Sequence, residues 1–129
     1  MNVEYLTLED LLALAEDLGV PKIRDLGLLD SAAHRPQTSL MGQDAYPTLH
    51  EKAAVLLESV VRNHPLVDGN KRLGWMAMLV FYGLNGHDLD APDDPAYYLV
   101  IEVATGAIDY VEAAARLAKW TGPRFFPPR

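Results

Sequence analysis

Apolar residues recur at helical intervals along most of the chain, and nearly every recurrence begins and ends on a residue that starts or stops a helix. Leu8, Leu11, Leu12, Ala15 and Leu18 return every three or four positions, the spacing that lines one face of an α-helix. Thr7, with Asp10 three residues on, reads as a capping box ahead of them, and Gly19 ends the run before Pro21 breaks the chain. A shorter helix is predicted over residues 26–35, stopped by Pro36. Thr48 and Glu51 form a second capping box, followed by Leu49, Ala53, Leu56, Leu57, Val60 and Val61, a stripe that carries the helix down to Asn63. After Gly69, the apolar residues Leu73, Trp75, Met76, Ala77, Leu79 and Phe81 occupy all sides of a helix, which predicts a segment roughly 22 Å long, buried all round at the centre of a bundle.

Further on, Asp94 reads as the N-cap and Pro95 as the first residue of a helix over residues 95–105, closed by Gly106. Asp109 caps a last helix through Trp120, with Val111, Ala114, Ala115, Leu117 and Ala118 along it. Residues 36–47 have no period and many turn formers, so they are predicted to be a surface loop, with connection and function equally open to them. Residues 123–129 are too rich in proline for a helix, and nothing alternates with the period of a strand. The expectation is all-α: one domain over residues 1–129, a compact bundle of about six helices with a buried central helix.

Composition narrows the function. A chain of 129 residues, half of them apolar, is long enough for one real core. It has no cysteine, so disulfides and thiolate metal sites are excluded, which suits a reducing compartment. No basic leader precedes an apolar run, and the longest apolar stretch, residues 73–84, is too short and interrupted to cross a bilayer. The expectation is a cytoplasmic protein without membrane contact. Eleven basic against eighteen acidic residues leave a formal charge of −7, which argues against direct nucleic-acid binding by a basic surface. Locally the sign reverses, because Arg62, His64, Lys71 and Arg72 face only Asp68. That island suits a small phosphate ligand in a pocket.

The island sits where a helix begins. Asp68-Gly69 is a turn signal, and the first N–H groups of the helix after it lack intrahelical partners and carry the positive end of the dipole. Such an end binds anions. Gly69 leaves the backbone open to approach, and Asn70, Lys71 and Arg72 add donors. Each residue also has a plainer reading: Asp68 as half of the turn, Asn70 as a cap, Lys71 and Arg72 as surface charges. Cations at a helix start oppose the dipole, which favours an anion beside them. Arg62 either lines the same pocket from the preceding helix or is solvated. His34, His50 and His87 have no mutual metal spacing and read as surface residues. The further Gly and Lys-Ser/Thr ending of a Walker loop are missing.

The run His64-Pro65-Leu66-Val67-Asp68-Gly69-Asn70-Lys71-Arg72 resembles the signature of the Fic superfamily. Its Asn-Lys-Arg ending is similar to the Doc (death-on-curing) branch and not to the Gly-bearing motif of AMP-transferring Fic enzymes. Upstream, Arg24-Asp25-Leu26-Gly27-Leu28-Leu29-Asp30-Ser31-Ala32 and Arg35-Pro36 are also Doc-like, so the resemblance covers most of the chain. Two departures stand out: Leu66 replaces the usual Phe, and Leu73-Gly74 stand where the family often has Thr-Ala.

The resemblance implies a helical Fic/Doc fold and a toxin of a type II toxin-antitoxin system. Its activity would be transfer of the terminal phosphate of ATP to a hydroxyl of a translation protein, with elongation factor Tu implied as target and translation arrest as outcome. Transfer of AMP, or a catalytically silent binding module, are the alternatives. His64 would be the general base, a role suited to the side chain that changes charge near neutral pH. Asp68 would help to hold Mg²⁺, while Gly69, Asn70, Lys71, Arg72 and, on its pocket reading, Arg62 would bind the nucleotide phosphates. Residues 36–47 would form a flap over the target peptide. No Glu is followed by Gly or Asn, so the inhibitory helix of some Fic relatives is missing and restraint would come in trans from a cognate antitoxin. Phe125 and Phe126 either contact that partner or pack on the parent domain.

Overall fold

A computed structural model describes residues 2–123; Phe125 and Phe126 lie outside the described residues. Six helices carry the fold: α1 (Leu8–Asp17), α2 (Leu26–His34), α3 (Leu49–Asn63), α4 (Asn70–Leu84), α5 (Asp93–Thr105) and α6 (Tyr110–Trp120). The expected all-helical class holds. Four strands of two or three residues accompany the helices: β1 (Ser39–Leu40), β2 (Gln43–Asp44), β3 (His87–Leu89) and β4 (Thr121–Pro123).

The central helix is α3 and not α4, which corrects the reading from apolar periodicity. Every residue from 52 to 61 is buried, and α3 packs against α2, α4, α5 and α6. Polar residues of α3 are buried along with its apolar stripe: Lys52, Glu58 and Ser59. Each has found a partner, which is what makes burial of a polar group tolerable. Lys52 Nζ donates to Pro36 O and Asp44 Oδ2, both at 3.2 Å. Arg35 donates to Glu58 Oε1 at 2.7 Å and to Ser59 Oγ at 3.1 Å. Helix α4 buries one face only, through Leu73, Gly74, Ala77, Met78, Phe81 and Tyr82. Its remaining apolar residues include Leu79, which lines a cleft, and Trp75, which lines the same cleft while packing against the edge of the core.

Local signals explain most helix ends. Thr7 and Asp10 complete the expected capping box of α1. At α3 only half of the box forms: Thr48 accepts from Glu51 N, but Glu51 takes the Thr48 hydroxyl proton at 2.8 Å and leaves the Thr48 N–H aside. Helix α5 starts two residues early, with Pro92 and not Asp94 at the N-cap. Pro95 did not set the register because a residue without an N–H is tolerated throughout the first turn, where those groups have no helical partner. Gly106 and Asp109 act as expected. On α6, Ala113, Ala114 and Leu117 are buried while Val111 is exposed, so the buried stripe is narrower than its alanines suggested.

Two short antiparallel pairings were not legible as strands. In residues 36–47, β1 pairs with β2 around Met41 and Gly42, both with positive φ (54° and 80°), the geometry of a tight hairpin turn. At the other end, β3 pairs with β4, which brings the exit of α6 against the segment leading into α5. Pairings of two or three residues are too short to show a period of two.

Candidate functional site

The site is the loop between α3 and α4, built on a backbone that two packed helices hold stiffly. His64 is the residue just past α3 and adopts the left-handed conformation, φ 51° and ψ 58°. For a residue with a β-carbon this costs about 1–2 kcal/mol, so the surroundings must enforce it. They do so from residues 20–25, which run antiparallel beneath the loop. Arg24 Nε donates to His64 O at 2.6 Å and its Nη2 to Asn63 O at 2.7 Å. Pro65 O accepts from the N–H groups of Arg24 and Asp25 at 2.8 and 3.0 Å, and Val67 N donates to Lys22 O at 2.9 Å. Leu66 bridges to Ile23 and is buried, so the residue in place of the usual Phe still anchors the loop.

Beyond it, Asp68 Oδ1 accepts from Gly69 N at 2.9 Å. That bond closes the turn and spends the Gly69 N–H, so the backbone donors left to an anion are those of Asn70, Lys71 and Arg72. Gly69 itself has φ 84° and lies directly over Val20. No side chain caps α4, and its dipole end opens into the cleft.

The Asn70 side chain works on the protein and not outward. Its Oδ1 accepts from Leu66 N at 2.9 Å and its Nδ2 donates to Leu66 O at 3.0 Å, which also fixes which way the amide faces. The second amide proton faces His64 Nδ1 at 3.5 Å, the outer edge of a hydrogen bond and too long to set the imidazole tautomer. What Asn70 can offer a phosphate is therefore its backbone N–H. Lys71 and Arg72 are exposed and line the cleft. Arg72 reaches Leu18 O only at 3.5 Å, and Lys71 has no ion pair among the described residues.

Arg62 is not part of the cleft, which corrects its pocket reading. Its Nε and Nη2 donate to Val103 O and Ile108 O at 2.7 and 2.8 Å, and its Nη1 lies 3.4 Å from Glu58 Oε2. It closes the carbonyl end of α5, where a cation suits the dipole. His50 is likewise not a plain surface residue: its Nδ1 lies 2.9 Å from the Tyr82 hydroxyl, and its ring centroid is 6.4 Å from that of His87. Burial, then the neighbouring His87, hold the His50 pKa below the ordinary value. His34 is exposed beside Asp30, as expected.

The cleft has a volume of about 910 Å³, within the range of sites that enclose a small ligand. His64, Asp68 and the start of α4 form one end. Trp75 and Leu79 of α4 face Tyr97, Val100 and Ile101 of α5 across the other, with Leu89, Asp90 and Asp93 at its edge. Periodicity alone had not separated these wall residues from core ones. The excess of apolar residues on α4 was the available signal. Among the described residues no three His, Cys, Asp or Glu side chains gather as a metal site. One turn carboxylate fits a Mg²⁺ ion that arrives with a triphosphate, since Mg²⁺ takes one or two carboxylates together with phosphates and water.

Fold and cleft together define a helical protein with an uncapped helix start flanked by Lys71 and Arg72, a histidine beside it and apolar residues lining the same cleft. Residues 5–82 match the family described as Fic/DOC family. The chain is also 50% identical over 119 residues to a protein named Toxin Doc from Mycolicibacterium smegmatis (strain ATCC 700084 / mc(2)155), a match covering 89% of this chain and 92% of that protein. The chain belongs to the Fic/DOC family.

Proposed function

We propose that this protein is the toxin of a toxin-antitoxin pair and a protein kinase, transferring the terminal phosphate of ATP to a hydroxyl of a translation protein in the cytoplasm. The toxin reading rests on the name of the relative that is 50% identical; elongation factor Tu as target and a cognate antitoxin come with the family resemblance. The observation that carries the chemistry is the Lys71 ammonium, which shares the cleft with His64 at the open start of α4 and has no ion pair among the described residues. A cation there sits against the helix dipole, so an anionic ligand removes the conflict.

His64 takes the proton from the attacking hydroxyl, whose oxygen forms a bond to the terminal phosphorus in line with the bridging oxygen. The bond from phosphorus to that bridging oxygen breaks, ADP leaves, and the proton on His64 passes to water. Lys71 and the N–H groups of Asn70, Lys71 and Arg72 stabilise charge on the phosphate oxygens as it develops. Asp68 would hold a Mg²⁺ ion, which would supply further neutralisation of the triphosphate. The apolar end, with Trp75, Leu79 and Tyr97, accommodates the nucleoside. Neither departure from the family pattern argues for a silent module, because Leu66, Leu73 and Gly74 are all buried and serve packing.

The test is protein labelling with ATP carrying label at either the α or the γ position, with Mg²⁺ and a cytosolic extract. Label from the γ position only is expected, lost in His64→Ala. Label from the α position only would establish AMP transfer instead, and none from either would leave a binding module. Expression of the wild type should arrest growth, and expression of His64→Ala should not.

A further inference from the structure

We propose that Arg24 is a positioning residue for the transfer reaction, holding His64 in the backbone conformation that presents its imidazole to the cleft. This rests on His64 acting as the base. Three consecutive carbonyls at the end of α3, those of Asn63, His64 and Pro65, all receive their hydrogen bonds from one short stretch. Arg24 serves Asn63 O at 2.7 Å and His64 O at 2.6 Å with two arms of its guanidinium. The Arg24 and Asp25 N–H groups serve Pro65 O. Carbonyls at a helix end have no partners within the helix, and a planar fork with fixed donor directions meets two adjacent ones in a way that an ammonium does not.

The geometry ties these bonds to the imidazole. His64 and Met41 are the two non-glycine residues with positive φ among the described residues. Met41 lies in a hairpin turn, but His64 follows a helix and is exposed, so no packing around its side chain forces the conformation. With the carbonyls of residues 63–65 directed at Arg24 and Asp25, rotation about φ or ψ of His64 would break charge-assisted bonds. In that conformation His64 lines the cleft. Arg24 itself is exposed, and among the described residues its guanidinium bonds to main-chain oxygens and not to a carboxylate. Its backbone is held by the adjacent Asp25, which caps α2 by accepting from Leu28 N.

The experiment compares Arg24→Ala, Arg24→Lys and His64→Ala in the full-length protein. It follows transfer of the γ label, nucleotide binding, melting temperature and the ¹³C backbone shifts of His64. For Arg24→Ala we expect kcat to fall about 100-fold, the loss typical of a reacting group displaced by an ångström, with KM for ATP and nucleotide affinity unchanged. The His64 shifts should move off their left-handed values, and millimolar guanidinium should restore part of kcat. Arg24→Lys should recover less than added guanidinium does. Full activity of Arg24→Ala beside an inactive His64→Ala would overturn the proposal while leaving the role of His64 intact. A loss of kcat matched by lost nucleotide affinity and melting temperature, without rescue, would reduce Arg24 to a structural cap and also overturn it. An active His64→Ala would instead remove the reading on which the proposal rests.

Discussion

Gly69 lies so close to Val20 that a β-carbon on the glycine would stand 2.4 Å from Val20 Cγ1 and 2.8 Å from Val20 Cβ. The residue that opens the helix start to an anion is thus also the residue that lets the loop rest on the segment leaving α1. Residues 20–25 therefore support the site twice, under Gly69 through Val20 and under His64 through Arg24.

Gly69→Ala should accordingly disable the cleft. The left-handed φ of 84° costs a residue with a β-carbon about 1–2 kcal/mol, and the clash with Val20 adds an overpacking cost of about 1–3 kcal/mol. ATP binding by calorimetry should be lost or weakened at least tenfold. Adding Val20→Gly removes the clash but not the backbone strain, so a double-mutant cycle should show partial recovery. Wild-type affinity in Gly69→Ala would show that the contact is unimportant.

Gly74 should matter for stability and not for chemistry. A β-carbon there would lie 2.8 Å from Val61 Cγ1 and 3.2 Å from Leu57 Cδ1, both on the buried face of α3. Overpacking of about 1–3 kcal/mol outweighs the gain of about 1 kcal/mol from replacing a helical glycine by alanine. Gly74→Ala is expected to lower the urea midpoint, reflecting a net loss of up to about 2 kcal/mol in unfolding free energy, with transfer activity per folded molecule retained. A more stable Gly74→Ala would mean that α3 and α4 can separate at no cost.

Arg62→Ala should destabilise the fold and leave nucleotide affinity alone. The substitution removes bonds to Val103 O and Ile108 O and one partner of the buried Glu58 carboxylate. Hydrogen bonds from charged groups are worth about 1.5–3 kcal/mol, so a loss of roughly 2 kcal/mol in denaturant unfolding is expected. If the variant melts like the wild type but binds ATP poorly, the pocket reading of Arg62 returns.

His50 gives stability a pH dependence with a definite sign. Burial and the nearby His87 lower its folded pKa from 6.5, so the unfolded chain binds that proton more tightly. Its contribution is complete above pH 6.5 and declines as pH falls through the depressed folded value. His50→Gln keeps a hydrogen-bonding partner for Tyr82 but cannot titrate, and should flatten the stability curve below pH 6.5. Parallel curves for the two proteins in that range would exclude His50 as the source.

Where a helix starts, where it stops and which residues form the motif loop follow largely from local chemistry, and apart from the start of α5 these were legible. Thr7 with Asp10, Gly106 and Asp109 act within a few residues of themselves, so their neighbours along the chain were sufficient. The stretch from His64 to Arg72 could likewise be assigned to a turn entering a helix, because Asp68-Gly69 closes on itself. The destinations of long polar side chains were not legible. Arg62 and Arg24 are both arginines near the end of α3 in space, yet one closes α5 and the other grips His64 O; the difference is which carbonyls lie within reach.

The amino-acid sequence by itself determined the helices, most of their caps and the chemical content of the loop, because propensity, capping and turn closure are decided over a few residues. The tertiary structure decided which helix is central, because burial of Lys52 and Glu58 depends on partners at Pro36, Asp44 and Arg35 that only packing brings near. It also decided that Trp75 and Leu79 line a cleft, because its other lining comes from α5, which the chain reaches only after reversing through β3.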